Sequence, residues 1–525
     1  MIYGCNCDLG VTQVDSLVKV FSDSTALPAL KGPIEVARGE NAALQFVLQA
    51  PEDGLSGLRI EKVTLPEGPM KVRTAGPVFR VYSPYNTYWN RDPESFSPAD
   101  GMFPDPIVPD STLTLAGGER GSLWLDIDVP VDTKPGNYTV KALICSDKGK
   151  SLQKFRIKVY PAAVERQRLL VTNWMGLQDP FINAGEALPD SLQTPMWADL
   201  FKMAGEYGNN AWRINHAVLP VKDAQGKIVG WNFEDFDEEV ELIMANAPVE
   251  QIHGMHFGGR SEWVGHMKFN DLEPDDPALK EWIYSYFPAL QEHLEGKKLD
   301  DGRSWLDIFA QFIADEPIDF NLDDWKAVAA MIKDAAPRIR TIEAYRSSTL
   351  DRSLLDFPVP QLDEFAENGL YNDITREDGV WIYTCMFPRG KYANRFLEQE
   401  LLKPRLLHWI NYKYNAVGYL HWGLNYWWGA PQGDPYGEVS NPGNDWPGGD
   451  SHIIYPGYRK LYPSIRYCAM RDGIRDYELL RMVEEKDSLK AREFVDRAVL
   501  GYDSYNTDVQ AFRALRHDIL EFLAK

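Results

Sequence analysis

The spacing of apolar residues changes about a third of the way along the chain. Between Gly32 and Pro161 it has a period of two. Leu44, Phe46 and Leu48 alternate with Gln45 and Gln49, and Leu123, Leu125, Ile127 and Val129 alternate with Asp126 and Asp128. Tyr138, Val140, Ala142 and Ile144 follow the turn Lys134-Pro135-Gly136, and Phe155, Ile157 and Val159 alternate with Arg156 and Lys158. Such segments, separated by Gly/Pro turns, predict an antiparallel β-sandwich. Tyr82 to Asp92 (YSPYNTYWNRD) is aromatic and polar, and reads as a loop reaching toward the next domain.

From about Arg168, short apolar strands alternate with longer helical stretches. The strands expected are Leu169–Trp174, Ala211–Asn215, Ile252–Phe257, Ile308–Ala314, Arg340–Tyr345, Leu362–Ala366, Val380–Met386 and Ala416–Trp422. Helical patterns between them include Pro195–Tyr207, Pro277–Leu294, Leu322–Ala335 and Arg395–Tyr412. Eight strands in such alternation over roughly 250 residues fit a (β/α)8 barrel of the TIM type. Beyond it, Ser464–Val483, Ser488–Leu500 and Asp508–Leu523 carry helical spacing. The expected fold is therefore multidomain, α and β. Residues 1–163 form the sandwich, 164–460 the catalytic barrel, and 461–525 a helical segment packed on it.

Composition narrows the function. The 525 residues exceed one ordinary core. A net charge of −22 would repel a phosphate backbone, so nucleic acid is not an expected partner. No apolar run approaches the ~20 residues that span a bilayer; Ala416 to Trp428 is broken by Gly, His and Asn. The five cysteines (Cys5, Cys7, Cys145, Cys385, Cys468) are scattered and odd in number, which argues against a disulfide framework. The Met1-Ile2-Tyr3-Gly4 start runs straight into polar sequence. The expectation is an exported or cell-surface protein whose leader is absent from this chain, with a cytoplasmic location as the alternative. The 16 Trp and 25 Tyr suit a site that stacks on sugar faces.

The chemistry concentrates at the end of the fourth barrel strand. Phe309-Ala310-Gln311-Phe312-Ile313-Ala314 stops on Asp315-Glu316-Pro317. Barrel enzymes place catalytic groups at the carboxyl ends of their strands, and Pro317 ends the ladder. Adjacent carboxylates raise each other's proton affinity, which suits a general acid; a helix-capping Asp315 beside a solvated Glu316 is the bland reading. Many retaining glycosidases on this barrel carry Asn-Glu after strand four and a nucleophilic Glu after strand seven. Here Asp precedes the Glu, and Trp381 to Met386 offers no carboxylate. A 2-acetamido sugar removes the need for one, because its own carbonyl oxygen attacks the anomeric carbon. Glu316 is then the acid/base. Asp315 accepts the acetamido N–H, and Tyr383 donates a hydroxyl to the carbonyl oxygen.

Three segments carry a resemblance. Ala314-Asp315-Glu316-Pro317, the segment Tyr419 to Trp427 (YLHWGLNYW) and the segment Arg471 to Leu480 (RDGIRDYELL), in that order, resemble glycoside hydrolase family 123, the β-N-acetylgalactosaminidases. A sandwich followed by a barrel also agrees, so the resemblance spans nearly the whole chain. It implies exo-acting release of β-linked N-acetylgalactosamine with retention and no metal or other cofactor, from a glycan or glycoconjugate ending in a 2-acetamido sugar. It maps the stabiliser onto Asp315 and the acid/base onto Glu316.

Further candidates line up on strand ends. Trp422 or Trp427 would floor the sugar site and Asn425 would bind a hydroxyl; rim packing is the alternative. Asn215, His216 and His256 would bind hydroxyls, as would Tyr345 at the end of strand five. His253 and His256 fall on opposite faces of a strand, which makes a metal pair poor. The Gly429 to Gly457 stretch is a long loop on the catalytic face, with Trp446 and Asp450 reaching the aglycone. The Arg471–Leu480 charges are structural, pairing among themselves or with the barrel wall. The competing readings are a β-hexosaminidase or another glycosidase using two separated carboxylates, with Glu343 or Glu364 as the second, and a non-catalytic carbohydrate-binding protein.

Overall fold

A computed structural model describes residues 9–25, 27–83, 95–96, 101–176, 190–260, 262, 264–347, 349–350, 352–367, 371, 373–427, 436, 447–457 and 459–525. Most of Tyr82 to Asp92, most of Gly429 to Gly457 (Trp446 included), Cys5 and Cys7 lie outside the described residues.

The N-terminal part is β-rich. Its strands are β1 (Val11–Asp15), β2 (Ile34–Arg38), β3 (Glu40–Gln49), β4 (Leu55–Thr64), β5 (Lys71–Tyr82), β6 (Met102–Ile107), β7 (Leu113–Leu115), β8 (Arg120–Val129), β9 (Gly136–Ser146) and β10 (Gly149–Ala163). They form two five-stranded sheets, ordered β1-β3-β8-β5-β6 and β2-β10-β9-β4-β7. One face of each sheet meets a shared core. Leu44, Phe46, Leu123, Leu125 and Ile127 come from one side and Val140, Ile144, Phe155 and Ile157 from the other. Pairing is antiparallel except at one edge, where β2 runs parallel to β10. The expectation of a wholly antiparallel region is corrected there. The polar alternates of β8 do not simply face water: Trp124 and Asp126 are buried on the opposite face.

Next comes strand–helix alternation: β11 (Leu170–Asn173), α1 (Asp190–Glu206), β12 (Ala211–Arg213), a hairpin β13 (Leu219–Lys222) and β14 (Ile228–Asn232), then α2 (Glu234–Asn246) and β15 (Gln251–Gly254). A small ladder follows, β16 (Gly258–Gly259) with β17 (Lys268–Phe269), and then α3 (Pro277–Gly296), β18 (Phe309–Phe312), α4 (Leu322–Ala335), β19 (Arg340–Tyr345), β20 (Phe357–Pro360) and α5 (Leu362–Glu367). The series ends with β21 (Trp381–Thr384), α6 (Leu402–Lys413) and β22 (Gly418–His421). β12-β15-β18-β19-β20 form a parallel half-barrel, and β11-β22-β21 a second parallel sheet. The two meet at a parallel bridge between Gln361 and Tyr383. On the other side, Asn210 donates its backbone N–H to Val171 O (3.1 Å) and accepts the Val171 N–H on Oδ1 (2.8 Å). Phe312, Ile342, Val359, Trp381 and Leu420 point into a common interior.

Two sequence expectations are corrected. Leu362–Ala366 is helical, and the sixth parallel strand is Phe357–Pro360. Prolines at 358 and 360 mask that strand in a pattern reading, because Pro is scarce inside sheets. The helix expected from Arg395 starts at Leu402, which puts Pro404 in its first turn, where no intrahelical N–H is needed. The stretch before it is held by a buried Arg395, whose guanidinium donates to Asn173 Oδ1 (2.9 Å), Asp450 O (2.9 Å) and Gly423 O.

The C-terminal helices are α7 (Ile465–Lys486), α8 (Ser488–Ala498) and α9 (Val509–Leu523). Ser464 caps α7 by accepting from Tyr467 N, and Asp487 and Asp508 cap α8 and α9 in the same way. These helices bind the two-sheet region through buried ion pairs. Arg466 grips both Asp105 oxygens at 2.8 Å, Arg471 reaches Asp126 at 2.6 Å, and Arg516 takes both Glu40 oxygens at 2.9 Å. Within the Arg471–Leu480 segment, Arg471 pairs with its neighbour Asp472, and Asp472 and Asp476 take Arg405 of α6, as expected, while Arg471 also reaches Asp126 in the two-sheet region. No described helix is long and apolar enough to cross a membrane.

Candidate active site

β18 delivers Asp315 and Glu316. Its end is fixed by Glu343 on β19, whose Oε2 accepts from Ile313 N (3.2 Å), Ala314 N (2.8 Å) and Trp325 Nε1 (2.8 Å). Burial pushes the Glu343 carboxyl well above its ordinary range. Glu316 then turns the chain with φ of 49°. A non-glycine residue on that side of the Ramachandran plot costs on the order of 1–3 kcal/mol, and such residues gather at functional sites. Arg260 holds the distorted turn by donating to Asp315 O (2.7 Å) and to Glu316 O, with its other nitrogen 3.4 Å from Glu316 Oε2.

The pair opens into a cavity of about 670 Å³. Trp174, Tyr383, Phe387, Trp422 and Tyr426 supply aromatic walls, and Leu420, Ala344 and Met386 aliphatic ones. Arg213, Arg346, Gln361 and Cys385 complete the lining, and Asp315 and Glu316 are its carboxylates among the described residues. An apolar cavity with a few convergent polar groups is the form a small-molecule site takes. Tyr383 Oη donates to Glu316 Oε1 at 2.5 Å, and burial keeps its phenol firmly protonated. Asp315 is deep in the molecule but exposed to the cavity. Its depth raises its pKa; His256 opposes the rise and Glu316 adds to it. Trp422 donates Nε1–H to Asp450 Oδ2 (3.0 Å) and stacks on Tyr426 with centroids 5.3 Å apart.

Of the residues singled out by sequence, Asp315, Glu316, Tyr383 and Trp422 meet in this cavity. Six others do not line it. Asn215 and His216 are captured by Glu239 of α2, which takes the Asn215 side chain at 2.9 Å and His216 Nδ1 at 2.8 Å. His216 opens instead onto a separate acidic pocket. His256 is packed against Trp174 and Phe312, 3.7 Å from Glu343, and burial lowers its pKa to about 4. Tyr345 is buried in the larger apolar core. Asn425 ties down Gly176 through both of its amide atoms (3.0 and 2.9 Å), and Trp427 donates to Ile454 O (2.8 Å) inside the core. Asn215, His216, Asn425 and Trp427 spend their polar capacity on nearby backbone or side chains, whereas His256 and Tyr345 are held by packing, with His256 Nε2 and Tyr345 Oη buried without a hydrogen-bond partner. Asp450 is also buried, bonded to Trp422, and does not line the cavity. His253 and His256 both touch Phe312, because β15 ends at Gly254 and the alternation stops there. No cluster of metal-ligating side chains occurs among the described residues.

Sequence reasoning missed Arg213, Arg346, Trp174 and Tyr426 as cavity walls. Arg213 and Trp174 end or follow strands, so their place in the barrel grammar was a usable signal. Arg346 stands directly after β19 and donates its backbone N–H to Pro317 O (3.1 Å).

The family model described as "Glycoside hydrolase 123, catalytic domain" matches residues 192–483. No curated protein matches the chain. Among solved structures, a family 123 glycoside hydrolase from Clostridium perfringens, described in terms of glycolipid glycan hydrolysis, superposes with a TM-score of 0.71 at 15% identity, covering 99% of this chain and 97% of that one. A GH2 β-galacturonidase from Eisenbergiella tayi reaches a TM-score of only 0.34 at 11% identity, covering 90% of this chain and 98% of that one. The family model spans more than half of the chain and includes Asp315 and Glu316, so the chain belongs to glycoside hydrolase family 123, enzymes that act on glycans.

Proposed function

We propose that the protein is an exo-acting, retaining β-N-acetylgalactosaminidase that works by substrate-assisted catalysis. The observation that carries this reading is the carboxylate inventory of the cavity: an adjacent pair and no partner across it among the described residues. Two-carboxylate glycosidases need the second acid roughly 5–10 Å away, on the far side of the sugar. Glu343 is spent on backbone N–H groups and Trp325, and Glu364 lies outside the lining, 3.4 Å from Arg346. The acetamido oxygen then serves as the nucleophile.

In this mechanism Glu316 protonates the glycosidic oxygen as the acetamido oxygen attacks the anomeric carbon. Asp315 accepts the acetamido N–H and stabilises the oxazolinium ion. Glu316, now a carboxylate, takes a proton from water, which opens the ring with net retention. Tyr383 holds Glu316 Oε1. A protonated Glu316 is the weaker acceptor, which frees the phenol to donate to the acetamido carbonyl. Trp422, braced by Asp450, is the proposed floor for the sugar face. The catalytic unit is proposed to be one closed (β/α)8 barrel, supported by the Gln361–Tyr383 bridge and the Asn210–Val171 hydrogen bonds.

A panel of aryl β-glycosides tests the reading. Turnover of the GalNAc glycoside, with competitive inhibition by a thiazoline analogue of the oxazoline, is the expected result. Trapping of a covalent glycosyl-enzyme by a 2-fluoro sugar would overturn it.

A further inference from the structure

One cationic group of the cavity takes no part in the chemistry just described. Arg213 closes β12 and lines the cavity with Asp315 and Glu316. Its guanidinium lies over the Trp174 ring, 4.6 Å from the centroid, and donates from Nη2 to the Tyr426 hydroxyl at 3.2 Å. That acceptor is a neutral phenol, and Arg213 Nε is buried with no hydrogen-bond partner. The other cations near the pair are differently placed. Arg346 has Glu364 at 3.4 Å, and Arg260 is committed to the Asp315 and Glu316 backbone oxygens. On Asp315 itself, Arg213 acts more weakly than His256 or Arg260.

Within the proposed mechanism, which this inference rests on, the positive charge of the oxazolinium ion becomes the partner of Asp315. Glu316, a carboxylate at that stage, is already met by Tyr383 and by Arg260 at 3.4 Å, whereas Arg213 donates to a neutral phenol and opposes the charge that develops on the sugar. An anion carried by the substrate removes the conflict. A guanidinium fork matches an oxyanion with two parallel N–H donors, and such charge-assisted bonds are strong where water is partly excluded. A cavity of about 670 Å³ has room for a sugar ring bearing an additional group.

We propose that Arg213 is a specificity residue for an anionic substrate, a 2-acetamido sugar bearing a sulfate ester on its terminal ring, with Trp174 and Tyr426 fixing the guanidinium to receive that sulfate.

The test uses the full chain and three probes: an aryl β-GalNAc, its 4-sulfate and its 6-sulfate. For the wild type, kcat/KM for one sulfated glycoside should exceed that for the neutral one by about 10- to 100-fold, the span of one hydrogen-bonded charge pair. Added salt should narrow the ratio. Arg213→Gln should bring the ratio close to one, and Arg213→Lys, which keeps the charge without the fork, should retain part of it. A wild-type ratio at or below one for both sulfated probes overturns the inference, and turnover of the neutral glycoside then leaves the proposed activity standing. An unchanged ratio in Arg213→Gln also overturns it. No turnover of any of the three probes sinks the activity, and the inference with it.

Discussion

Two regions of this molecule bury charged side chains in quantity and use them in opposite ways. At the junction of α7, α9 and the two-sheet region, the cations Arg466, Arg471 and Arg516 each meet a carboxylate, although Arg516 Nε is buried without a hydrogen-bond partner. Arg466 spends its donors on both Asp105 oxygens and on the carbonyls of Arg395, Gly449 and His452, while Tyr455 Oη donates to Asp105 Oδ2 at 2.6 Å. Asp476 takes Arg405 at 2.6 and 3.0 Å, Trp409 at 3.0 Å, and Arg516. In the cavity the same residue types keep capacity in reserve. Asp315 is exposed to the cavity, Arg213 Nε is unmatched, and Glu316 has a strained backbone. Cations paired with carboxylates fix a junction, whereas Arg213 donates to a neutral phenol and keeps charge for a ligand.

The largest expected effect strikes the cavity. Glu316→Gln should lower kcat on a substrate with a sugar leaving group by about 10²- to 10⁴-fold, the usual worth of a positioned proton donor. Its thermal midpoint should stay near that of the wild type. A large loss of stability instead would mean that Glu316 belongs with the paired charges of the junction.

Arg466→Ala should do the reverse. Removing one partner of a buried pair costs about 3–5 kcal/mol, here because Asp105 would be left buried without its bidentate donor. Denaturant unfolding reads the loss. Stability within about 1 kcal/mol of the wild type would contradict the distinction between the regions.

The smallest effect is expected where the regions touch. Asp450 carries Trp422 on Oδ2, lies 3.2 Å from His421, and is pushed up to about 7 by burial, with Arg395 opposing. Its folded pKa is above its unfolded value, so the native state binds the extra proton. Its contribution to stability is full below about pH 4 and is lost as pH rises toward 7. Unfolding of the wild type and of Asp450→Asn across that window gives the difference. The wild type should lose stability relative to the variant from pH 4 to 7 and run parallel to it above, whereas curves parallel throughout would remove Asp450 from the account.

Much of this was legible in the chain. The Asp315-Glu316-Pro317 stop after an apolar strand marks the cavity without any structure, because Pro317 ends the ladder and the two acids stand at its carboxyl end. Tyr383 and Trp422 follow from strand ends in the same way. The pattern failed where side chains have two possible audiences. Asn215 and His216 sit at a strand end like the others, yet Glu239, 23 or 24 residues later, turns them away. Asp126 alternates like a solvated residue and is buried against Arg471.

The sequence alone determined most of the elements, though not the strand Phe357–Pro360 or the helix after it, and where the acidic pair falls, because periodicity and strand ends are local properties of the backbone. Only the tertiary structure decided which polar groups were left unspent. Arg213, Trp174 and Tyr426 are brought together by strand order, and Glu343 and Asp105 are removed from any cavity by donors distant in the chain. A polar atom's availability depends on everything that folds against it, so no stretch of chain carries that information by itself.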